Sequence, residues 1–95
     1  MSAARFSLGT CVATLGAIRA LSEGGGDWRF NAAPLLVRHQ DGDWGDVPPE
    51  DARENELSVR EGFRIVSSYE MDGERLWIIT EADRSSTCIL LPEEY

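Results

Sequence analysis

The stretch that decides the fold is Phe63-Arg64-Ile65-Val66-Ser67-Ser68-Tyr69-Glu70-Met71-Asp72-Gly73-Glu74-Arg75-Leu76-Trp77-Ile78-Ile79-Thr80. Two runs rich in β-branched and aromatic residues, 63–71 and 74–80, flank Asp72-Gly73. Asp-Gly in a two-residue loop signals a type I′ hairpin, because both positions need positive φ. Such a turn sets the register, with opposed residue numbers summing to that of the turn pair. Ile65 then faces Thr80, Ser67 faces Ile78 and Tyr69 faces Leu76 on one side of the sheet. On the other side Val66 faces Ile79 and Ser68 faces Trp77. Glu70 falls opposite Arg75 and Arg64 opposite Glu81, two opposite-charge pairs that favour this register. A slip by one residue would turn every side chain to the wrong face.

Working outward, Ala82-Asp83-Arg84-Ser85-Ser86 reads as a turn, and Thr87 to Leu91 as a strand ended by Pro92, with Glu93-Glu94-Tyr95 a polar tail. Before the hairpin, Pro48-Pro49 opens a helix to about Arg60. Proline suits its first turn, and Glu50 and Asp51 complement the positive end of its dipole. Ala52, Leu57 and Val59 form its thin apolar stripe, Glu56 and Arg60 an i,i+4 pair, and Gly62 its end. Asn31 reads as the N-cap of a helix over 32–40, with Leu35, Leu36 and His39 turned inward and Gly42 as its stop. Thr14 caps a helix over 15–23 with Ala17, Ile18 and Leu21 on one stripe. Gly24-Gly25-Gly26 ends that helix; the triglycine lacks the Lys-Ser/Thr of a phosphate loop and follows a helix instead of preceding one. Residues 6–13 alternate as a strand, Phe6, Leu8, Thr10 and Val12 on one side and small residues on the other. The fold class is α+β in a single domain over residues 1–95. Its order is β-α-α-α-β-β-β, an antiparallel C-terminal meander with the helices packed on one face.

A chain of 95 residues supports one core. Its net charge of −8 is uneven. Residues 1–40 hold four arginines against Glu23 and Asp27, whereas 41–95 hold five arginines against fifteen acids. Seven of those acids and only Arg53 lie within 41–56. Such a balance argues against direct binding to nucleic acid or an anionic membrane, both of which need a basic surface. A basic protein partner suits it. No apolar run is long enough to span a bilayer. The opening Met1-Ser2-Ala3-Ala4-Arg5-Phe6 has no signal-peptide pattern, so the expectation is a cytoplasmic protein with Cys11 and Cys88 as buried thiols.

The segment His39-Gln40-Asp41-Gly42-Asp43-Trp44-Gly45-Asp46 suggests calcium at first sight. Counted from Asp41 as an EF-hand loop, it has Gly45 where position 5 needs an acid, Asp46 where position 6 needs glycine, and Ala52 where position 12 needs glutamate. A turn packed around Trp44 with solvated acids fits better. His39 has no close ligand for zinc, and Ser85 and Ser86 lack a nucleophile elbow. Asp83 and Ser85 can lock their own turn, or present a contact loop with Arg84. Core packing is the expectation for all three tryptophans, with Trp28, just after the triglycine, the most exposed of them; the alternative use is as interface anchors. No cofactor or metal is expected.

Arg38-His39, Gly42-Asp43-Trp44-Gly45-Asp46, Glu50-Asp51 and Asn55-Glu56 carry a wider resemblance. So do the run from Trp77 to Ser85 and Ile89-Leu90-Leu91-Pro92-Glu93-Glu94-Tyr95. With Phe6-Ser7-Leu8-Gly9, Ala13-Thr14 and Gly16-Ala17, this pattern resembles a family of small bacterial proteins of plasmids, integrative elements and genomic islands. That family usually has proline where this chain has Leu15. Its members bear labels such as plasmid-related protein or type I restriction methyltransferase subunit. The second label does not suit this chain, which has no glycine-rich cofactor loop after a strand and no Asn/Asp-Pro-Pro-aromatic tetrad. Asp46-Val47-Pro48-Pro49 is not such a tetrad, because its prolines open a helix.

The resemblance implies a mobile-element accessory protein that works by binding. The leading expectation is a non-catalytic protein that engages a basic-surfaced protein partner, with a host defence or restriction complex as candidate. The contact residues would be Asp41, Asp43, Trp44, Asp46, Glu50, Asp51, Glu54, Asp83 and Arg84, with the acids imitating DNA phosphates. Two alternatives stay open. One is a divalent-metal protein or small hydrolase using His39, Asp43, Asp46, Glu81 and Asp83. The other is an oligomerising, antitoxin-like module, for which a homodimer would be the form.

Overall fold

A computed structural model describes residues 4–95. The elements are β1 (Thr10–Ala13), α1 (Leu15–Ser22), α2 (Trp28–Asp41), α3 (Pro49–Glu61), β2 (Ile65–Met71), β3 (Glu74–Thr80), β4 (Ser86–Leu90) and a closing 3-10 turn, Pro92–Glu94. This is the expected β-α-α-α-β-β-β order. The four strands form one sheet in the order β1-β4-β3-β2. β2, β3 and β4 make an antiparallel meander, and β1 joins it in parallel with β4. No helix among the described residues is long and apolar enough to cross a membrane.

The hairpin keeps the register its turn dictates. Ile65 faces Thr80, Tyr69 faces Leu76 and Glu70 faces Arg75. Asp72 and Gly73 both take positive φ, 51° and 83°. The charge pairing read from that register is different, however. Arg75 turns to Asp46 at 2.9 Å instead of Glu70. The ladder ends at Ile65 and Thr80, so Arg64 and Glu81 do not pair; Arg64 bonds the Tyr95 hydroxyl, and the Glu81 N–H donates to Ser86.

One sheet face carries the core. Ile78, Leu76, Tyr69 and Ile89 meet Ala17 and Leu21 of α1 and Ala32 and Leu35 of α2. Thr14 caps α1 as expected, its hydroxyl accepting from the Ala17 N–H. α2 starts earlier than its sequence suggests, with Asp27 as cap, because the Asp27 carboxylate reaches the Arg29 N–H at 2.9 Å. Asn31 then lies inside the helix, where its amide donates to the carbonyls of Leu21 and Gly25 and ties the triglycine loop down.

α3 differs from its sequence reading in what it buries. The expected apolar stripe is displaced: Leu57 is 40% exposed, and the buried positions are Asn55 and Ser58. Asn55 donates to the Val66 carbonyl at 2.7 Å and accepts from the Val66 N–H at 3.2 Å. Its amide thus imitates a further strand along the β2 edge, which a free edge needs. α3 adds nothing to the main core cluster and lies beside that edge.

Three further expectations are corrected. β1 begins only at Thr10, because Gly9 breaks the run with a φ of 64°; Phe6 folds over His39, with ring centroids 5.2 Å apart. The cysteines are free and not deeply buried: Cys11 is exposed on the edge strand and Cys88 half-buried. The tail after Leu91 is docked. Tyr95 packs edge-on against Trp77 at 5.7 Å, and the Glu94 carboxylate accepts from the Gly16 N–H at 3.1 Å at the positive end of α1.

Candidate functional site

The Gly42–Asp46 segment is a clasp. Gly42 ends α2, and Asp43 returns to Arg38 at 2.7 Å while accepting from the Gly45 N–H. The Trp44 carbonyl accepts from the Ser68 N–H at 3.1 Å, and the Asp46 N–H donates to the Ser68 carbonyl at 2.7 Å. The segment therefore pairs with the outer edge of β2, next to Asn55. Gly45 is required there. Its φ is 74°, and a Cβ would lie 2.0 Å from the Ser68 carbonyl oxygen. Trp44 is 6% exposed, and its indole N–H donates to Glu56 at 3.1 Å. Arg5 holds the same carboxylate with two hydrogen bonds, at 2.8 and 3.0 Å.

His39 lies beneath this clasp, fully buried. Its protonation follows from a directed chain. The Thr87 hydroxyl donates to the Leu8 carbonyl at 2.7 Å, so its oxygen accepts from Thr80, also at 2.7 Å. The Thr80 proton is then spent, and its oxygen accepts from His39 Nε2–H at 2.9 Å. His39 Nδ1 is left to accept from the Ser67 hydroxyl at 2.6 Å. Every polar atom is satisfied with a neutral ring, and a second ring proton would face a hydroxyl already donating. Burial, reinforced by the Arg84 charge, pushes His39 down to about 4.

The candidate contact residues therefore divide. Asp43 and Asp46 are tied to Arg38 and Arg75, and Trp44 is buried, so these three serve the fold. Trp44 is not available as a contact. Arg38 holds the Asp43 carboxyl below the usual carboxylate range; Arg5, and then Trp44, do the same for Glu56. Arg84, at φ 61°, donates to the carbonyls of Phe63, Glu81, Ala82 and Ser58, which fastens the turn to the end of α3. Asp83 accepts from the Ser85 N–H at 3.0 Å, the turn lock that its sequence suggests. His39, Asp43, Asp46, Glu81 and Asp83 do not converge: His39 is sealed away from solvent, and two of the acids are ion-paired. Among the described residues no three His, Cys, Asp or Glu side chains form a metal-binding group.

Glu50, Asp51 and Glu54 remain exposed on α3, and none has an ion-pair partner among the described residues. Asp51 and Glu54 line a cleft of about 510 Å³ between α3 and the second face of the sheet. Val66, Trp77 and Ile79, on the sheet face opposite the main core, supply its apolar lining. Phe63 and Tyr95, 54% and 66% exposed, also line it. Arg64 lies there too, its guanidinium 5.6 Å from the Tyr95 ring centre. The expected contact set omitted these apolar residues. Their signal was the hairpin's second face, where Val66, Trp77 and Ile79 stand on a surface that would be polar if it were simply solvated.

Among the described residues, neither histidine nor cysteine lines the cleft. Its lining combines an apolar recess with the carboxylates of Asp51 and Glu54, which have no ion-pair partner among the described residues. A scan of protein-family models finds no match to this chain, and neither does a search of curated proteins or of solved structures.

Proposed function

We propose that this is a non-catalytic accessory protein that binds a basic-surfaced protein partner through the cleft between α3 and the open sheet face. One observation carries the reading. Within a single acidic stretch, Asp43, Asp46 and Glu56 are neutralised by arginines, while Asp51 and Glu54, lining an apolar recess, and the neighbouring Glu50 have no ion-pair partner among the described residues. Solubility alone needs no recess, and packing alone needs no free acids. The resemblance to proteins of plasmids and genomic islands supports a host defence or restriction complex as the partner, with this protein as its inhibitor. In this reading the contact moves from the whole of 41–56 to the exposed side of α3 and the aromatic residues facing it.

The test is affinity capture from a bacterial host with wild-type protein and with a Glu50→Arg, Asp51→Arg, Glu54→Arg variant. Far-ultraviolet circular dichroism and the melting temperature establish that the variant is folded. Loss of the captured partner is the expected result. Equal recovery by the folded variant overturns the reading.

A further inference from the structure

Resting on that reading, we infer that the cleft receives an arginine or lysine side chain of the protein partner, its stem along Val66, Ile79 and Trp77 and its cation at Asp51 and Glu54. The volume, about 510 Å³, is within the range of sites that enclose a ligand group. The two kinds of lining make opposite demands. The apolar residues favour a hydrocarbon surface. The two carboxylates lose solvation when anything covers the mouth, and a purely apolar segment would offer them nothing in return. A phosphate-bearing partner would set like charge against them. A bare divalent ion would leave the apolar lining uncovered and would lack a third ligand, since no group of three metal-binding side chains forms among the described residues. A long aliphatic stem ending in a cation meets both demands at once.

The aromatic residues point the same way. Trp77, Tyr95 and Phe63 all line the cleft, and aromatic faces attract guanidinium and ammonium groups. One such contact is already present, because Arg64 lies over the Tyr95 ring and bonds its hydroxyl. Arg64 forms no ion pair with Asp51 or Glu54, so the cleft keeps two carboxylates against one guanidinium. The side chains lining the site are one positive charge short of neutrality.

The experiment is a titration of the ¹⁵N-labelled protein with the blocked tripeptide acetyl-Leu-Arg-Leu-amide. The same peptide with citrulline in place of arginine, an uncharged near-isostere, is titrated in parallel at matched salt. The expected result is a saturable shift of the Trp77 indole N–H and of the Asp51 and Glu54 amides. The citrulline peptide should bind about fivefold more weakly or worse. An Asp51→Asn, Glu54→Gln variant should bind the two peptides alike. Equal affinity of both peptides for the wild type, or no saturable shift at the cleft, overturns the inference. If the peptides fail while the charge-reversed protein still loses its captured partner, the cleft reading stands and only the side-chain class falls. If capture survives charge reversal, the cleft reading itself falls.

Discussion

Two acidic groups, fourteen residues from end to end, are put to opposite uses. Asp43, Asp46 and Glu56 each meet an arginine from elsewhere in the chain: Arg38 from α2, Arg75 from β3 and Arg5 from the segment before β1. Among the described residues Glu50, Asp51 and Glu54 meet none. Nothing in composition separates the groups; what separates them is the backbone between. Gly42–Asp46 is pressed against the β2 edge, which brings its carboxylates within reach of arginines. On α3, Glu56 turns back to Arg5 and the Trp44 indole, while Glu50, Asp51 and Glu54 face solvent and the cleft. An acidic run is therefore a poor guide to a charged surface until each member's partner is known.

The sharpest way to break the clasp is at its closest approach. Gly45→Ala places a methyl group against the Ser68 backbone and forces a positive φ on alanine, so a loss of about 3 kcal/mol in urea-denaturation stability is expected. A loss below about 1 kcal/mol would mean that the segment is free to lift from β2.

A pH titration probes the layer beneath. With His39 at about 4 in the folded chain, against an ordinary value near 6.5 when unfolded, protons bind the unfolded chain first as pH falls. The stability contributed by neutral His39 is complete above about pH 7 and is lost progressively as pH falls from 6.5 toward 4. Between pH 7 and pH 5 the loss should be about 2 kcal/mol by urea denaturation. A flat profile over that range would show that the ring accepts a proton without disturbing the Ser67–Thr80–Thr87 chain.

The smallest effects set the two acidic groups side by side. Arg5→Ala removes the two bonds to Glu56 at a half-exposed site, and about 1 kcal/mol is expected. Asp51→Asn with Glu54→Gln should leave the melting temperature within a degree or two, since neither acid has a partner to lose. Equal destabilisation by the two changes would erase the distinction between structural and free acids.

Much of the fold was legible because it rests on local rules. Asp72-Gly73 dictates its hairpin and every opposed pair along it. Thr14, Gly42, Pro48 and Gly62 mark helix ends through caps and breakers that act over four residues. The clasp, the buried histidine and the cleft were less legible, because each depends on residues distant in sequence. Asn55 reads as a polar position on a surface helix until β2 presents an unpaired Val66 edge to it. Arg84 reads as a contact residue until the end of α3 brings it the Ser58 and Phe63 carbonyls. Trp77 reads as core, and only the placement of α3 at the sheet's edge leaves it half-buried at the cleft, above a buried Ile79.

By itself, then, the chain determined its strands, its register, the order of its elements and the uneven distribution of its charge. These follow from side-chain alternation, turn chemistry and capping, which act between near neighbours. Tertiary structure alone decided which carboxylates are neutralised, which proton His39 carries and which sheet face stays open. Those outcomes depend on distances of a few ångströms between groups tens of residues apart, and no local pattern encodes them.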